Sequence, residues 1–181
     1  MMRSKSRTRR LAIGSALILA AATAIVAMPQ VAQAYTTTGC SFGSSTNSVG
    51  VTGLPSLYNT SASSAVWLWS SQTDLNLTSV NSASVNGIVG DWGDNGLAGR
   101  ATWTCWFGGT QGCTASLNRH YTDYYVSNKK RTVWLHELGH CFGLNHSSYA
   151  TAVMRSCPAC AYEAGQTGLH SDDKNGMNSL Y

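Results

Sequence analysis

One short segment of the sequence, which begins at His136, constrains the fold more than any other part of the chain. If the segment is helical, His136 and His140 lie about one turn apart on the same face, so both imidazoles can reach one metal ion. Glu137 projects about 100° around the helix from His136. Its carboxylate can therefore reach a water molecule on that ion without binding the ion itself. The spacing predicts a metal-binding helix.

The residues after this helix complete the pattern. Gly143 lacks a Cβ atom, so it can take a positive φ angle and end the helix in a sharp turn. We expect this turn to bring His146 towards the first two histidines as a third ligand. Three protein ligands leave the fourth tetrahedral position of a zinc ion open for water, which is typical of catalytic zinc. Three of the five histidines of the chain lie in this segment, so scattered surface or core histidines explain it poorly.

The extended pattern HExxHxxGxxH resembles the motif of the metzincin metallopeptidases, and its surroundings resemble the matrixins among them. Thr132–Leu135 leads into the motif as in matrixins, and Ser147 follows the third histidine. Ala152–Met154 is similar to the Met-turn, a methionine-containing loop below the metal. Ser171–Tyr181, with an acidic pair, a glycine and a terminal Leu-Tyr, is similar to the matrixin C-terminal helix.

The resemblance implies an α+β fold of the metzincin, or zincin-like, type. Its parts are a twisted mixed sheet, a backing helix, an active-site helix and a small C-terminal subdomain below the zinc cleft. Met154 would form a hydrophobic floor, and a specificity pocket would lie near residues 155–170. The resemblance also implies an edge strand over the zinc that binds substrate, formed by Leu97, Ala98, Gly99, Arg100 and Ala101. A strand edge offers main-chain donors and acceptors to an extended peptide, but an ordinary sheet edge or loop is an equal alternative.

The residue types predict a zinc-dependent endopeptidase. One catalytic zinc ion, held by His136, His140 and His146, would lower the pKa of its bound water towards about 7. Glu137 would accept a proton from that water and pass it to the leaving amine of a protein or peptide substrate. Two alternatives remain open: a catalytically silent zinc-binding module for adhesion or inhibition, and a peptidase acting on cell-wall peptides. The presence of Glu137 disfavours the silent module.

Residues 1–34 have the pattern of a secretory signal peptide. The first ten residues carry several basic side chains and no acidic one, and an apolar stretch follows from Leu11 to Met28. Residues 32–34 match an A-x-A cleavage site. An uncleaved membrane anchor is the alternative, and an arginine pair leaves the twin-arginine export route open. We predict a secreted, extracellular protein with its catalytic domain at residues 35–181. The length and the arginines of the signal peptide are typical of bacterial proteins.

The basic character of the chain belongs to this signal peptide. The whole chain has 12 basic and 8 acidic residues, and 5 of the basic ones lie in its first ten positions. The predicted mature protein is therefore close to neutral and lacks the positive charge that nucleic-acid binding requires. We expect no nucleic-acid partner, no stable membrane association after signal cleavage, and a monomer.

All six cysteines lie in the predicted mature region, and an even number in an exported chain indicates disulfide bonds. The candidates are Cys40, Cys105, Cys113, Cys141, Cys157 and Cys160. Cys105 and Cys113 flank a glycine-rich turn, so we predict a disulfide across that hairpin. The other four cysteines allow three connectivities. The sequence from Cys157 to Cys160, CPAC, also fits a redox or metal-binding pair, although no second such pair supports it.

The segment Asp91–Gly96 is rich in side-chain oxygen atoms and is compatible with a calcium loop. It does not follow the EF-hand pattern, and Asp, Asn and Gly are also typical of ordinary turns. Calcium is therefore an alternative interpretation of this loop, beside the single zinc.

Hydrophobic spacing predicts the elements that precede the motif. Apolar residues recur at helical spacing from Ala62 to Trp69, and Thr60 or Ser61 would cap that helix. Strands are predicted at residues 75–78, 85–89, 101–107 and 115–118.

Overall fold

A five-stranded mixed sheet forms the frame of the molecule, which a computed structural model describes for residues 34–181. The predicted signal peptide lies outside the described residues, except for Ala34. The strands are β1 (Thr46–Gly50), β2 (Asn76–Val80), β3 (Val85–Gly90), β4 (Gly99–Trp106) and β5 (Gly109–Asn118). Their order across the sheet is β2-β1-β3-β5-β4. Four strands are parallel, and β4 is an antiparallel edge strand that pairs with β5.

Two long helices pack against this sheet and against each other. The helices of the described residues are α1 (Ser56–Gln72), α2 (Arg119–Thr122), α3 (Ser127–Cys141), α4 (Pro158–Glu163) and α5 (Ser171–Asn178). The indole Nε1 of Trp69 in α1 donates a hydrogen bond to the carbonyl of Leu135 in α3 at 3.0 Å. Gly87 of β3 leaves room for the ring of Trp134, since a Cβ atom there would lie 3.3 Å from it. This arrangement confirms the α+β prediction, with α1 as the backing helix.

The second half of α3 lies in the interior, with Thr132–Gly139 buried throughout. Most of these side chains are apolar and belong to the main hydrophobic core. Thr132, His136 and Glu137 are the polar exceptions, and the two titratable ones, His136 and Glu137, have exposed fractions of 3% and 4%. Polar side chains are costly to bury without partners. A backbone hydrogen bond to each of His136 and Glu137 offsets part of this cost.

The predicted elements correspond to α1, β2, β3, β4 and β5 with small shifts of their ends. The start of α1 differs most, because the helix begins at Ser56 after Pro55 and not at a cap of Thr60 or Ser61. The fixed φ of a proline suits the first turn of a helix. The prediction missed β1, which lies between β2 and β3 in the sheet.

Three disulfides join the six cysteines: Cys40–Cys105, Cys113–Cys141 and Cys157–Cys160. The predicted Cys105–Cys113 pair is therefore wrong. In the β4–β5 hairpin, Cys105 lies opposite Thr110, whereas Cys113 lies opposite Trp103. About three residues of strand, or roughly 10 Å, separate Cys113 from the position facing Cys105. A disulfide requires Cα atoms about 4.4–6.8 Å apart, so each cysteine bonds a partner in another part of the chain.

The chain turns back below α3 after the helix ends. Gly143 has a φ of +106°, in the region that a residue without a Cβ atom adopts readily. The loop that follows carries Met154, whose side chain is fully buried beneath the helix. A Cβ atom on Gly139 would lie 2.3 Å from Sδ of Met154. Helix and loop therefore approach each other as closely as a glycine permits.

The last helix, α5, connects this loop to the start of the described chain. Oδ1 of Asp172 accepts hydrogen bonds from the N–H groups of Ala34 and Tyr35 at 3.0 and 3.2 Å. Its Oδ2 accepts the hydroxyl of Ser147 at 2.6 Å. Among residues 34–181, no helix combines the length and the apolarity that crossing a bilayer requires.

Candidate metal site and catalytic cleft

Three histidines converge at the C-terminal end of α3. His136 and His140 lie one turn apart on the helix, and their Nε2 atoms are 3.0 Å apart. The turn at Gly143 brings the ring of His146 to centroid distances of 5.3 Å from His136 and 4.9 Å from His140. One nitrogen atom of each ring lies within 4.8 Å of the others. Within the part of the chain that the structure describes, this is the one group of three or more His, Cys, Asp or Glu side chains placed to share an ion.

Backbone carbonyls set the orientation of two of these rings. Nδ1 of His136 lies 2.8 Å from the carbonyl oxygen of Val153, and Nδ1 of His140 lies 2.8 Å from that of Leu144. A carbonyl oxygen can only accept, so each Nδ1 carries the proton and donates it. Both Nε2 atoms then present lone pairs to each other. A cation between them removes this repulsion, and neutral imidazole nitrogen is a preferred zinc ligand. The donor set therefore fits zinc.

The environment keeps the two helix histidines neutral. Burial, reinforced by the neighbouring His140 ring, lowers the pKa of His136 to about 3. Burial also lowers the pKa of His140 below its usual value. A metal ligand must be unprotonated. These rings are therefore ready to bind a metal at neutral pH without first losing a proton.

Glu137 lies beside the histidines and faces the edge strand. Burial raises the pKa of its carboxyl to about 8, and a backbone hydrogen bond from Ala101 acts in the opposite direction. Gly99 makes this position possible, because a Cβ atom there would lie 2.6 Å from Oε1 of Glu137. A carboxyl with its pKa near neutrality suits a group that both accepts and returns a proton.

These side chains open onto a cleft of about 600 Å³. All five residues of the predicted substrate strand, Leu97 to Ala101, line it, and three of them belong to β4. Ser156–Ala159, within the predicted specificity region 155–170, also lines the cleft. Aromatic residues complete the lining, and the sequence had not indicated them: Trp103, Tyr121 and Tyr125. Trp103 stacks on His140 with ring centroids 6.3 Å apart.

A buried carboxylate holds the loop that orients His136. Asp173 is fully buried, and its carboxylate accepts hydrogen bonds from the N–H groups of Val153 at 2.9 Å and Met154 at 3.0 Å. It also accepts the N–H of His170 at 2.8 Å. Burial raises the pKa of Asp173, and these backbone donors oppose the shift. The acidic pair near the C-terminus was visible in the sequence, but its link to the metal site was not.

The structure does not support calcium at residues 91–96. Asp91 accepts the N–H of Gly93, and the carboxylate of Asp94 accepts the hydroxyl of Tyr121. Asn118 joins the same loop through the carbonyl of Gly93 at 3.0 Å. No third acidic side chain joins the two carboxylates in the described residues. The oxygen-rich composition therefore reflects turn formation, with its acidic side chains used by local hydrogen bonds.

Comparison with known families agrees with this geometry. Residues 110–181, which contain α3, the three histidines, Met154 and α5, match the family model described as matrixin. Over these residues the chain is similar to the matrixins, a group of the metzincins. No curated protein matches the chain in a sequence comparison.

The matrixin match gives the site a general function. Matrixins are zinc metallopeptidases, so the family implies zinc at the three histidines and a protein or peptide as substrate. The match covers the α3 half of the cleft, whereas β4 lies before residue 110. The family match therefore gives no support for the role of the edge strand. That role is supported by the position of the strand along the cleft.

Proposed function

We propose that residues 35–181 form a secreted, zinc-dependent endopeptidase that hydrolyses peptide bonds in proteins. The main support is the position of Glu137, whose buried carboxyl lies next to the three histidines and opens onto the same cleft. Secretion is supported by the signal-like residues 1–34 and by three disulfides, which persist in oxidising compartments.

His136, His140 and His146 would hold the metal. A zinc ion in such a site polarises a carbonyl and increases the acidity of water. Glu137 accepts a proton from the attacking water at its carboxylate and then donates it to the nitrogen of the leaving amine. In the metal-free protein burial raises the pKa of this carboxyl to about 8, and a bound cation would act in the opposite direction, towards the charged form. Because the two effects oppose each other, the base can also act as the acid.

The free edge of β4 would hold the substrate. This strand pairs with β5 on one side only, and it is the last strand of the sheet. An extended peptide that pairs with this edge gains main-chain hydrogen bonds without a requirement for particular side chains. Trp103 on one part of the cleft and Ser156–Ala159 on another would contact its side chains. This geometry supports internal cleavage of an unfolded or extended segment.

The test compares mature protein, residues 35–181, with the Glu137→Gln variant on a denatured protein mixture. New termini are identified by mass spectrometry, and zinc content is measured for each protein. We expect the Glu137→Gln substitution to lower the rate of cleavage at least about 100-fold while zinc remains bound, because the metal ligands are intact. Chelation of the metal should abolish cleavage by the unaltered protein.

The matched control is Asp74→Asn, the same carboxylate-to-amide change at an exposed residue that does not line the cleft. It should retain most of the activity. If wild type and both variants bind one zinc and none cleaves protein, the endopeptidase proposal is wrong. Cell-wall peptides would then be tested as substrates, and failure there would leave a silent zinc-binding module.

A further inference from the structure

One disulfide lies at the rim of the catalytic cleft. Cys157 lines the cleft together with Ser156, Pro158 and Ala159, and it is bonded to Cys160. We refer to residues 156–160 as the cleft wall. The two cysteines are separated by only three positions in the sequence. No step of the proposed peptidase mechanism uses this bond.

The cleft wall lies between two firmly held parts of the chain. Before it, Met154 is fixed by Asp173. After it, α4 is held to α3, where the side chain of Lys129 pairs with Glu163. Within the wall, the N–H of Cys160 donates to Sγ of Cys157 at 3.2 Å. The disulfide therefore holds the first turn of α4 against the segment that leaves the Met-turn loop.

This disulfide is also the most accessible to a reducing thiol. Cys160 is exposed and Cys157 is partly exposed. In contrast, Cys40 and Cys105 are both only partly exposed, and Cys113 and Cys141 have exposed fractions of 5% and 1%. A bond that closes a very short loop contributes less to stability than one that closes a long loop. Its reduction should therefore leave the rest of the molecule folded.

We propose that Cys157–Cys160 is a redox modification site that controls how firmly the cleft binds its substrate. A dithiol reductant attacks Sγ of Cys160 as a thiolate and forms a mixed disulfide, and Cys157 leaves as a thiolate that takes up a proton. The second thiol of the reductant then attacks the mixed disulfide and releases Cys160 as a thiol. The reductant ends as a disulfide, and the protein gains two thiols.

The consequence follows from the position of the wall. With the bond formed, residues 156–160 are ordered before the substrate arrives. With the bond reduced, binding must also restrict the wall, and this loss of freedom weakens affinity. The histidines and Glu137 are held by other contacts, so their chemistry should change little. This part of the inference depends on the proposed peptidase function.

The kinetic test compares the mature protein with the double variant Cys157→Ala/Cys160→Ala on a peptide spanning the cleft. We expect the variant to show a KM at least about threefold higher, with kcat within about twofold and the same zinc content. A brief treatment with dithiothreitol, followed by alkylation and desalting because the dithiol also binds zinc, should raise the KM of the wild-type protein to the value of the variant. It should leave the variant unchanged. A matched variant, Cys40→Ala/Cys105→Ala, should remain sensitive to the dithiol.

Two measurements test the inference without using activity. Mass spectrometry after brief treatment with dithiothreitol and alkylation should find Cys157 and Cys160 labelled before Cys113 and Cys141. Hydrogen exchange should then increase in residues 156–163 and remain constant in β5. Equal KM values for oxidised and reduced protein, or unchanged exchange in the wall, would overturn the inference. Absence of cleavage by every form would instead refute the peptidase proposal, while exchange and labelling would still decide whether reduction loosens the wall.

Discussion

At the scale of single residues, Gly99 leaves the space that the carboxyl of Glu137 occupies. A Cβ atom at this position would lie 2.6 Å from Oε1 of Glu137 and 2.7 Å from Cγ1 of Val133. Gly99→Ala must therefore displace the carboxyl or the strand. Because a displacement of about 1 Å can cost on the order of 100-fold in rate, we expect kcat/KM to fall at least about tenfold. Steady-state kinetics on a peptide substrate would measure this fall.

Gly43→Ala is the matched control for this substitution. A Cβ atom on Gly43 has no neighbour within 4 Å, so this variant should retain the kinetics of the wild-type protein. Zinc content should be the same in all three proteins. A Gly99→Ala enzyme with kcat/KM within twofold of the wild-type value would show that Glu137 tolerates a side chain on the edge strand.

The burial of Glu137 also predicts a dependence of stability on pH in metal-free protein. Its pKa is raised from 4.5 to about 8 by burial, so between these values the folded state retains a proton that the unfolded state releases. Stability from this group is therefore greatest at low pH and falls as pH rises towards 8. His136 and His140 have lowered pKa values, so they affect stability mainly below pH 6.5. The interval from pH 6.5 to 8 therefore avoids these two histidines, while Asp173, whose pKa is also raised, is common to the wild-type protein and to a Glu137 variant.

Urea unfolding of the chelated protein across this interval would measure the effect. We expect the free energy of unfolding to decrease by up to about 1.4 kcal/mol per pH unit at the steepest point. The Glu137→Gln variant lacks this titration, so its stability should fall less steeply, and the difference between the two curves measures Glu137. Parallel curves for both proteins would mean that the carboxyl does not retain its proton in the folded state.

At the residue scale, the sequence determines relative positions where the spacing is local. His136, Glu137 and His140 share one helix, so the helical repeat alone determines their relative positions. Gly99 and the carbonyl of Val153 come from other parts of the chain and reach the site only through tertiary packing. Neither residue has a chemical type that marks it as functional. The family resemblance placed Gly99 in the edge strand and Val153 in the Met-turn, but nothing in the sequence showed that they contact Glu137 and His136.

At the scale of elements, α5 supports the metal site through the loop beneath α3. Asp173 of this helix accepts three backbone N–H groups, and two of them belong to Val153 and Met154. The carbonyl of Val153 in turn accepts the Nδ1 proton of His136. Removal of the carboxylate would leave buried donors without partners, which typically costs about 1–3 kcal/mol for each. It would also free the loop that orients a metal ligand.

We therefore expect Asp173→Ala to lower the free energy of unfolding by at least about 3 kcal/mol and to weaken zinc binding about tenfold. Urea unfolding and competition with a zinc chelator would measure the two effects. Asn175→Ala, at an exposed position of the same helix, is the control and should change neither quantity by much. Unchanged zinc affinity in Asp173→Ala would show that α5 stabilises the fold without orienting His136.

Some features of the helices and strands could not be predicted from sequence patterns. Periodicity predicted α1 and four strands, because each buries a regular face against the core. It missed β1, in which only Val49 and Gly50 are buried. It also could not define the register of β4 and β5, which has an irregularity between Thr104 and Cys105. The incorrect disulfide prediction followed from that register and not from the strands themselves.

At the scale of the whole molecule, the three disulfides restrain very different lengths of chain. Cys40–Cys105 joins residues 65 positions apart, Cys113–Cys141 joins residues 28 apart, and Cys157–Cys160 joins residues 3 apart. The first ties the N-terminal segment to the tip of the β4–β5 hairpin, and the second ties β5 to α3. The second bond therefore connects the strand that pairs with β4 to the helix of His136 and His140, whereas the first anchors the hairpin to a segment that does not line the cleft. The third acts only within the cleft wall.

Loop length predicts how each bond contributes to the stability of the folded state. A disulfide restricts the unfolded chain more when its loop is longer. The resulting stabilisation of the folded state is about 4 kcal/mol for each of the two long loops and about 2 kcal/mol for the short one. Replacing each pair by alanine and measuring urea unfolding should give this order. The buried Cys113–Cys141 pair should cost more than its loop alone predicts, because its removal also leaves a cavity. If the Cys157–Cys160 variant were the least stable, the cleft wall would be essential to folding.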